Sequence, residues 1–219
     1  TANVPILTGH HRRYNPLIQM AYDVISGGEL GHITSIQGQT WFRKPDNYFD
    51  AEWRSQTGAG PVFLNLIHDI DVLRYLCGDI ASVHAMDSSA VRGFEVEDTA
   101  VILLRFASGA LGTVNASDAI AAPWSWELTA NENPVYPTTN QSCYQIGGSK
   151  GSLSIPDLYI WRHEGDPDWW TPIHQERLPA QANNPLSTQA NHFAQVIAGF
   201  AQPLVSGLEG MRSLQVVEA

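Results

Sequence analysis

The run Gly58-Ala-Gly-Pro-Val-Phe-Leu-Asn-Leu-Ile-His-Asp-Ile-Asp-Val-Leu-Arg-Tyr-Leu-Cys-Gly78 constrains the fold more than any other part of the chain. Pro61 stands where a first-turn proline is tolerated, and Gly78 is a helix stop. Nearly everything between them is apolar, so the spacing predicts a helix buried on most of its circumference. The polar exceptions are Asn65, His68, Asp69, Asp71 and Arg74. At about 100° per residue, Asn65, His68 and Asp69 share an arc of roughly 100°, with Asp71 beside His68. A polar stripe on a buried helix faces either an internal hydrogen-bonded network or a cavity. From this window alone His68 reads either as a satisfied core histidine or as a proton carrier. Asp71 and Arg74 read as a pair at three residues' spacing.

At 219 residues the chain can bury the core of one large domain or two small ones. A hydrophobic content of 43% with 16% charged residues fits a folded globular protein. The net charge of −10 argues against nucleic acid or an anionic membrane as a main partner. No apolar run is long enough to cross a bilayer, and the first residues lack the charged-then-apolar pattern of a signal peptide. Cys77 and Cys143 are too few for a disulfide framework and lack metal-site spacing, so a reducing cytoplasm is the expected location.

Along the chain, Val4 to Thr8 reads as a short buried strand. Asn15 then caps a helix with Pro16 in its first turn and Gly27-Gly28 at its end. His32 to Phe42 reads as a strand, and Lys44 to Gly60 as a long structured loop. Beyond Gly78 the pattern changes to short strands: Ala81–Met86, Thr99–Phe106 and Ala110–Ser117, with a Ser108-Gly109 turn between the last two. Trp126–Thr129, Tyr144–Ile146, Ser152–Ile155 and Leu158–Trp161 are weaker strand candidates. Helix returns over Ser187 to Phe200 and again from about Ser206, still running at Ala219. Helices first, strands in sequence, then helices predict an α+β domain spanning 1–219, built on an open, largely antiparallel sheet.

The helix segment Gly-Pro-Val-Phe-Leu-Asn-Leu-Ile-His-Asp-Ile-Asp, with the following Leu-Arg-Tyr-Leu-Cys-Gly, resembles the active-site helix of the glucose–fructose oxidoreductase/inositol dehydrogenase (Gfo/Idh/MocA) family. Thr8-Gly-His-His-Arg-Arg-Tyr-Asn-Pro16 resembles that family's segment just after its cofactor domain. Gly148-Ser-Lys-Gly-Ser-Leu-Ser-Ile155 and Val205-Ser-Gly-Leu-Glu-Gly-Met-Arg-Ser-Leu214 fit the same pattern in the same order. The resemblance implies helices on one sheet face, with the other face packing on a second subunit in a homo-oligomer. It also implies a nicotinamide cofactor, NAD or NADP, and a sugar or polyol substrate. His68 takes the place of the family histidine that meets the substrate hydroxyl. Inositol-dehydrogenase-like members carry an aspartate four residues earlier, where this chain has Leu64; Asn65 can hydrogen-bond there but cannot act as a base.

A nicotinamide enzyme needs a dinucleotide seat, usually Gly-x-Gly-x-x-Gly between a strand and a helix. The nearest match, Gly58-Ala59-Gly60, runs into Pro61, with Phe63 in the third glycine's place, and reads as a helix start. No cofactor-binding residue is therefore assigned. The resemblance places the family's Rossmann domain, roughly 100–150 residues by ordinary domain size, upstream of Thr1, so the isolated chain is expected to be inactive. The candidate site comprises His68 for proton transfer and Asn65, Asp69, Arg54, Arg43, Lys44 and Arg13 for substrate. No metal site is assigned, because adjacent helical residues such as His68 and Asp69 diverge. The competing reading is a non-catalytic carbohydrate-binding or assembly module using Trp161, Trp169 and Trp170.

Overall fold

The computed structural model describes residues 4–179 and 184–219. Its strands are β1 (Ile33–Trp41), β2 (Ile80–Ser88), β3 (Thr99–Phe106), β4 (Leu111–Ser117), β5 (Tyr144–Gly148), β6 (Ser152–Ile155), β7 (Tyr159–His163) and β8 (Ile173–Arg177). They form one open sheet in the order β2-β3-β4-β1-β5-β6-β7-β8. Every pairing is antiparallel except β1 with β4, where Ile36 lies opposite Gly112 and Gly38 opposite Val114.

Strand alternation assigns the two faces of this sheet. Ala100, Ile102, Leu104 and Phe106 of β3 point inward with Val114 and Ala116 of β4 and Ile36 of β1. Three helices cover that face: α1 (Pro16–Ser26), α2 (Ile67–Cys77) and α5 (Gly207–Glu218). Ile18, Ala21 and Val24 of α1 and Ile70, Leu73 and Leu76 of α2 join the sheet residues in one core. Each large aliphatic side chain so buried stabilises the fold by about 1.5–3 kcal/mol. On the opposite face Val101, Leu103 and Leu111 remain exposed.

Local chemistry sets the helix ends. Asn15 Oδ1 accepts from the Leu17 amide at 2.9 Å, with Pro16 in the first turn, and Ser206 Oγ accepts from the Glu209 amide at 3.3 Å. Gly78 ends α2 with a φ of +93°, a left-handed conformation that a side chain disfavours. Before α2 the chain makes a π-helical turn, Val62–Leu66.

Two local expectations are corrected, and two features were not anticipated. Val4 and Ile6 are exposed, and only Leu7 bridges to Ser206, so the first segment is no buried strand. Trp126–Thr129 is a helical turn (α3), in which Thr129 Oγ1 donates to the Ser125 carbonyl at 2.7 Å. Strand β8 is present although its sequence, Ile-His-Gln-Glu-Arg, carries no strand signal. In α4 (Pro185–Ile197) and just beyond it, Phe193, Ile197 and Phe200 face outward.

Candidate active site

The site forms where the turn His11–Tyr14 lies against the first turn of α2. Two consecutive arginines in that turn engage the two aspartates of the helix. Arg12 sits 3.0 Å from Asp69 and 2.8 Å from Glu127, and donates to the Tyr144 hydroxyl at 3.3 Å; Tyr144 in turn donates to Asp69. Arg13 grips Asp71 through two bonds, at 2.8 and 2.7 Å, and reaches Glu209 at 3.1 Å. Arg74 turns away from Asp71 and bonds Asp79 at 2.6 Å and Ser213 at 2.9 Å. The expected Asp71–Arg74 pair is thus replaced by a network joining three chain segments.

His68 pairs with another imidazole rather than with Asp69 or Asp71. His68 Nδ1 lies 3.2 Å from Nδ1 of His10, which is only 4% exposed. His11 packs edge-on against His68 with ring centroids 5.8 Å apart, and its Nε2 is 2.7 Å from Glu132 Oε1. Asn15 Nδ2 donates to the other Glu132 oxygen at 2.8 Å. His68 itself is half-buried, the member of this cluster on α2 that retains some exposure.

Burial dominates the proton affinities. It drives the His68 pKa down to about 3, helped by the Arg12 charge and by His10 and His11. His10 is lowered for the same first reason, with Asp71 pulling the other way. Burial pushes the Asp69 carboxyl up to about 6 against the pull of Arg12, because that one guanidinium also serves Glu127. Burial would raise Glu132 too, but its bonds from His11 and Asn15 prevail and hold it below the usual carboxylate range. At neutral pH His68 is therefore an uncharged imidazole, with a lone pair on one ring nitrogen.

The other anticipated residues lie in different surroundings. Asn65 stands in the π-helical turn with its Oδ1 buried and unpartnered among the described residues. Asp69 and Arg13 are fully internal, with the contacts given above. Lys44 is buried with its ammonium 3.1 Å from Asp118; burial lowers its pKa against that carboxylate's pull. Arg43 is exposed, 3.6 Å from Asp46. Arg54 donates to the Tyr48 carbonyl at 2.7 Å and lies over the Tyr48 ring, so it braces its own loop. Among the described residues no hydrogen bond or ion pair joins Arg43, Lys44 or Arg54 to His68. His10, His11 and Glu132 were not singled out from the sequence; the adjacent histidines before an arginine pair were the available signal.

No dinucleotide fits the start of the helix. Glu97 Oε1 accepts from the Val62 amide at 3.0 Å, and a Cβ on Gly60 would collide with the same carboxyl group. That anion position is already filled by a negative side chain. Among the described residues no three His, Cys, Asp or Glu groups converge as metal ligands, and burial pushes the Cys77 thiol up to about 12. No helix among them is long and apolar enough to cross a membrane.

Residues 18–154 match the family described as the GFO/IDH/MocA C-terminal domain. A D-apiose dehydrogenase of Paraburkholderia graminis is 24% identical over 230 residues, covering all of this chain and 56% of that protein. A levoglucosan dehydrogenase of Pseudarthrobacter phenanthrenivorans is 29% identical over 180 residues, covering 69% of this chain and 42% of that protein. The fold is similar to the WlbA dehydrogenase from Bordetella pertussis, solved with NADH and UDP-GlcNAcA. The TM-score is 0.71 at 24% identity, over 97% of this chain and 58% of that one. An oxidoreductase from Agrobacterium radiobacter, solved with NAD+, L-tartaric acid and magnesium, gives 0.75 at 18% identity, over 100% and 62%. The chain thus spans little more than half the length of the relatives that match it end to end.

Proposed function

The chain belongs to the GFO/IDH/MocA C-terminal domain family, and from that premise we propose that it is the substrate-side domain of an NAD(P)-dependent oxidoreductase acting on a hydroxyl carbon of a sugar or polyol. The observation that carries this reading is the half-buried, uncharged imidazole of His68 at the start of α2, walled by His10 and His11. Oxidation of a secondary alcohol removes a hydroxyl proton as hydride leaves, and reduction of the ketone returns it; His68 is the group proposed to carry that proton. The nicotinamide, which supplies hydride transfer, has no seat among the described residues, so the reading assigns it to a partner domain of the full protein. Asn65 is proposed to orient a substrate hydroxyl through its unpartnered carbonyl oxygen, while Asp69 and Arg13 hold the wall. Arg43, Lys44 and Arg54 remain proposed substrate contacts, set apart from His68, with Lys44 paired to Asp118 and Arg54 bracing its own loop.

In the full-length enzyme His68→Ala is expected to lower kcat by about 10²–10⁴, the usual yield of an acid–base group, with a small change in Tm. Near-normal turnover in His68→Ala would reject the catalytic role. The sugar-binding or assembly module would then be the better reading, supported by Trp169 and Trp170, which stand 89% and 83% exposed between β7 and β8.

A further inference from the structure

We propose that His10 is a positioning residue that locks the tautomer of His68, accepting the His68 Nδ1 proton so that His68 Nε2 is left bare toward the substrate side. The inference rests on the proposed role of His68 and adds to it the device that makes this histidine competent.

The two rings meet through Nδ1 atoms 3.2 Å apart, with their planes at 80°. Both imidazoles are uncharged at neutral pH, so a single proton occupies that contact. Only two arrangements exist. If His10 donates, His68 carries its proton on Nε2 and has no lone pair there to receive one. If His68 donates, its Nε2 is bare and can take a hydroxyl proton. The resulting imidazolium keeps the same Nδ1–H bond to His10, and loss of the Nε2 proton in the reverse reaction restores the starting state. Only the second arrangement runs in both directions without either ring turning over.

A base histidine is ordinarily oriented by a carboxylate. Here neither nearby carboxylate bonds the His68 ring: Asp69 is held through Oδ1 by Arg12 and Tyr144, and Asp71 by Arg13 and Ser213. The acceptor that contacts the His68 ring is His10, which is too buried to touch a substrate itself. Around the pair stand Arg12, Arg13, His11, Asp71 and Glu132, which act on the two rings through their charges and not, among the described residues, through a hydrogen bond. His11 closes the other side, held by Glu132, so His68 is flanked by two imidazoles and cannot swing freely.

The test is nitrogen-15 NMR of the histidine-labelled full-length protein at neutral pH, with the His68 signals identified by their loss in His68→Ala. Wild type should show His68 protonated at Nδ1 alone. His10→Phe, which keeps a ring but no acceptor, should release that preference, and His10→Gln, whose amide carbonyl accepts, should keep it. Turnover in the holoenzyme should follow: a fall of roughly 10-fold or more at unchanged KM in His10→Phe, recovered in large part by His10→Gln. An Nε2-protonated His68 in the wild type, or an unchanged tautomer in His10→Phe, would overturn the proposal. Should His10→Phe fail to fold, the wild-type and His10→Gln spectra still decide it. Loss of the tautomer lock with full turnover in His68→Ala would reject the catalytic reading and leave the inference about His10 standing.

Discussion

His68 is folded in a form that rejects a proton which the unfolded chain would bind. Its pKa is about 3 in the native state, against 6.5 for a free histidine. Between those values the unfolded state holds more protons, so stability rises with pH across this window and falls as the solution is acidified. Above about pH 6.5 the effect is absent. His10 acts in the same direction, whereas Asp69, raised to about 6, loses its contribution as pH rises from 3.8. Comparing one variant with wild type isolates the His68 share. Urea denaturation at pH 7.5 and pH 5 should show a smaller acid loss in His68→Gln than in wild type, by on the order of 1–2 kcal/mol. Equal losses would mean that His68 is solvated in solution. The candidacy of His68 was legible because a histidine in an apolar helical run is conspicuous. Its partner was not, because His10 and His68 are 58 residues apart and periodicity reports only on neighbours within one element. The role of Asp69 as an internal ion-pair partner was hidden for the same reason: Arg12, Glu127 and Tyr144 come from three separate segments.

At the level of elements, the buried ion pairs tie the turn His11–Tyr14, helix α2 and helix α5 into one unit. Asp71 is fully buried and takes two bonds from Arg13 and one from Ser213, while Glu209 contacts both Arg13 and Arg74. Removing one member leaves a buried charge without its counterpart, which costs about 3–5 kcal/mol, more than the pair contributes over an apolar replacement. Asp71→Asn should therefore destabilise by that amount in chemical denaturation. The double variant Arg13→Leu with Asp71→Leu should be no worse than Asp71→Asn alone. A loss below about 1 kcal/mol in Asp71→Asn would show that the network is solvated or already dispensable. The end of α2 and the start of α5 were readable in advance, since Gly78 and Ser206 act locally through backbone angle and cap. The π-helical turn at Val62–Leu66 was not, because no residue there forbids an ordinary helix; Glu97, far along the chain, secures the start. Trp126–Thr129 misled because tryptophan and threonine favour strands, yet burial of Trp126 against Tyr144 and Arg12 decides its conformation.

For the molecule as a whole, the sheet has one face sealed by helices and one left open. The family resemblance implied this, and the strands agree with it: apolar residues occur at both parities in Thr-Ala-Val-Ile-Leu-Leu-Arg-Phe and only one set can face the helices. The strand order was beyond the sequence: β1 lies beside β4 in parallel although some 70 residues separate them, a pairing no turn signal encodes. What the open face meets is an expectation with a direct test. Val101 and Leu103 stand two residues apart on that face of β3, with exposed Met86 opposite Val101 on β2 and Leu111 diagonal to Leu103 on β4. A contiguous apolar patch on a folded surface marks an interaction site more often than isolated residues do, and an open sheet face can meet a second copy of itself about a two-fold axis. Light scattering should therefore show self-association at micromolar concentration, with an interface on the order of 800 Å² per subunit. Leu103→Asp places a charge in the middle of that contact but points away from the helices, so the Tm of the dissociated chain should hold while the dissociation constant rises at least about tenfold, equivalent to about 1.4 kcal/mol. A wild type that stays monomeric at high concentration, or association that survives Leu103→Asp unchanged, would assign the open face to something other than a second copy of this chain.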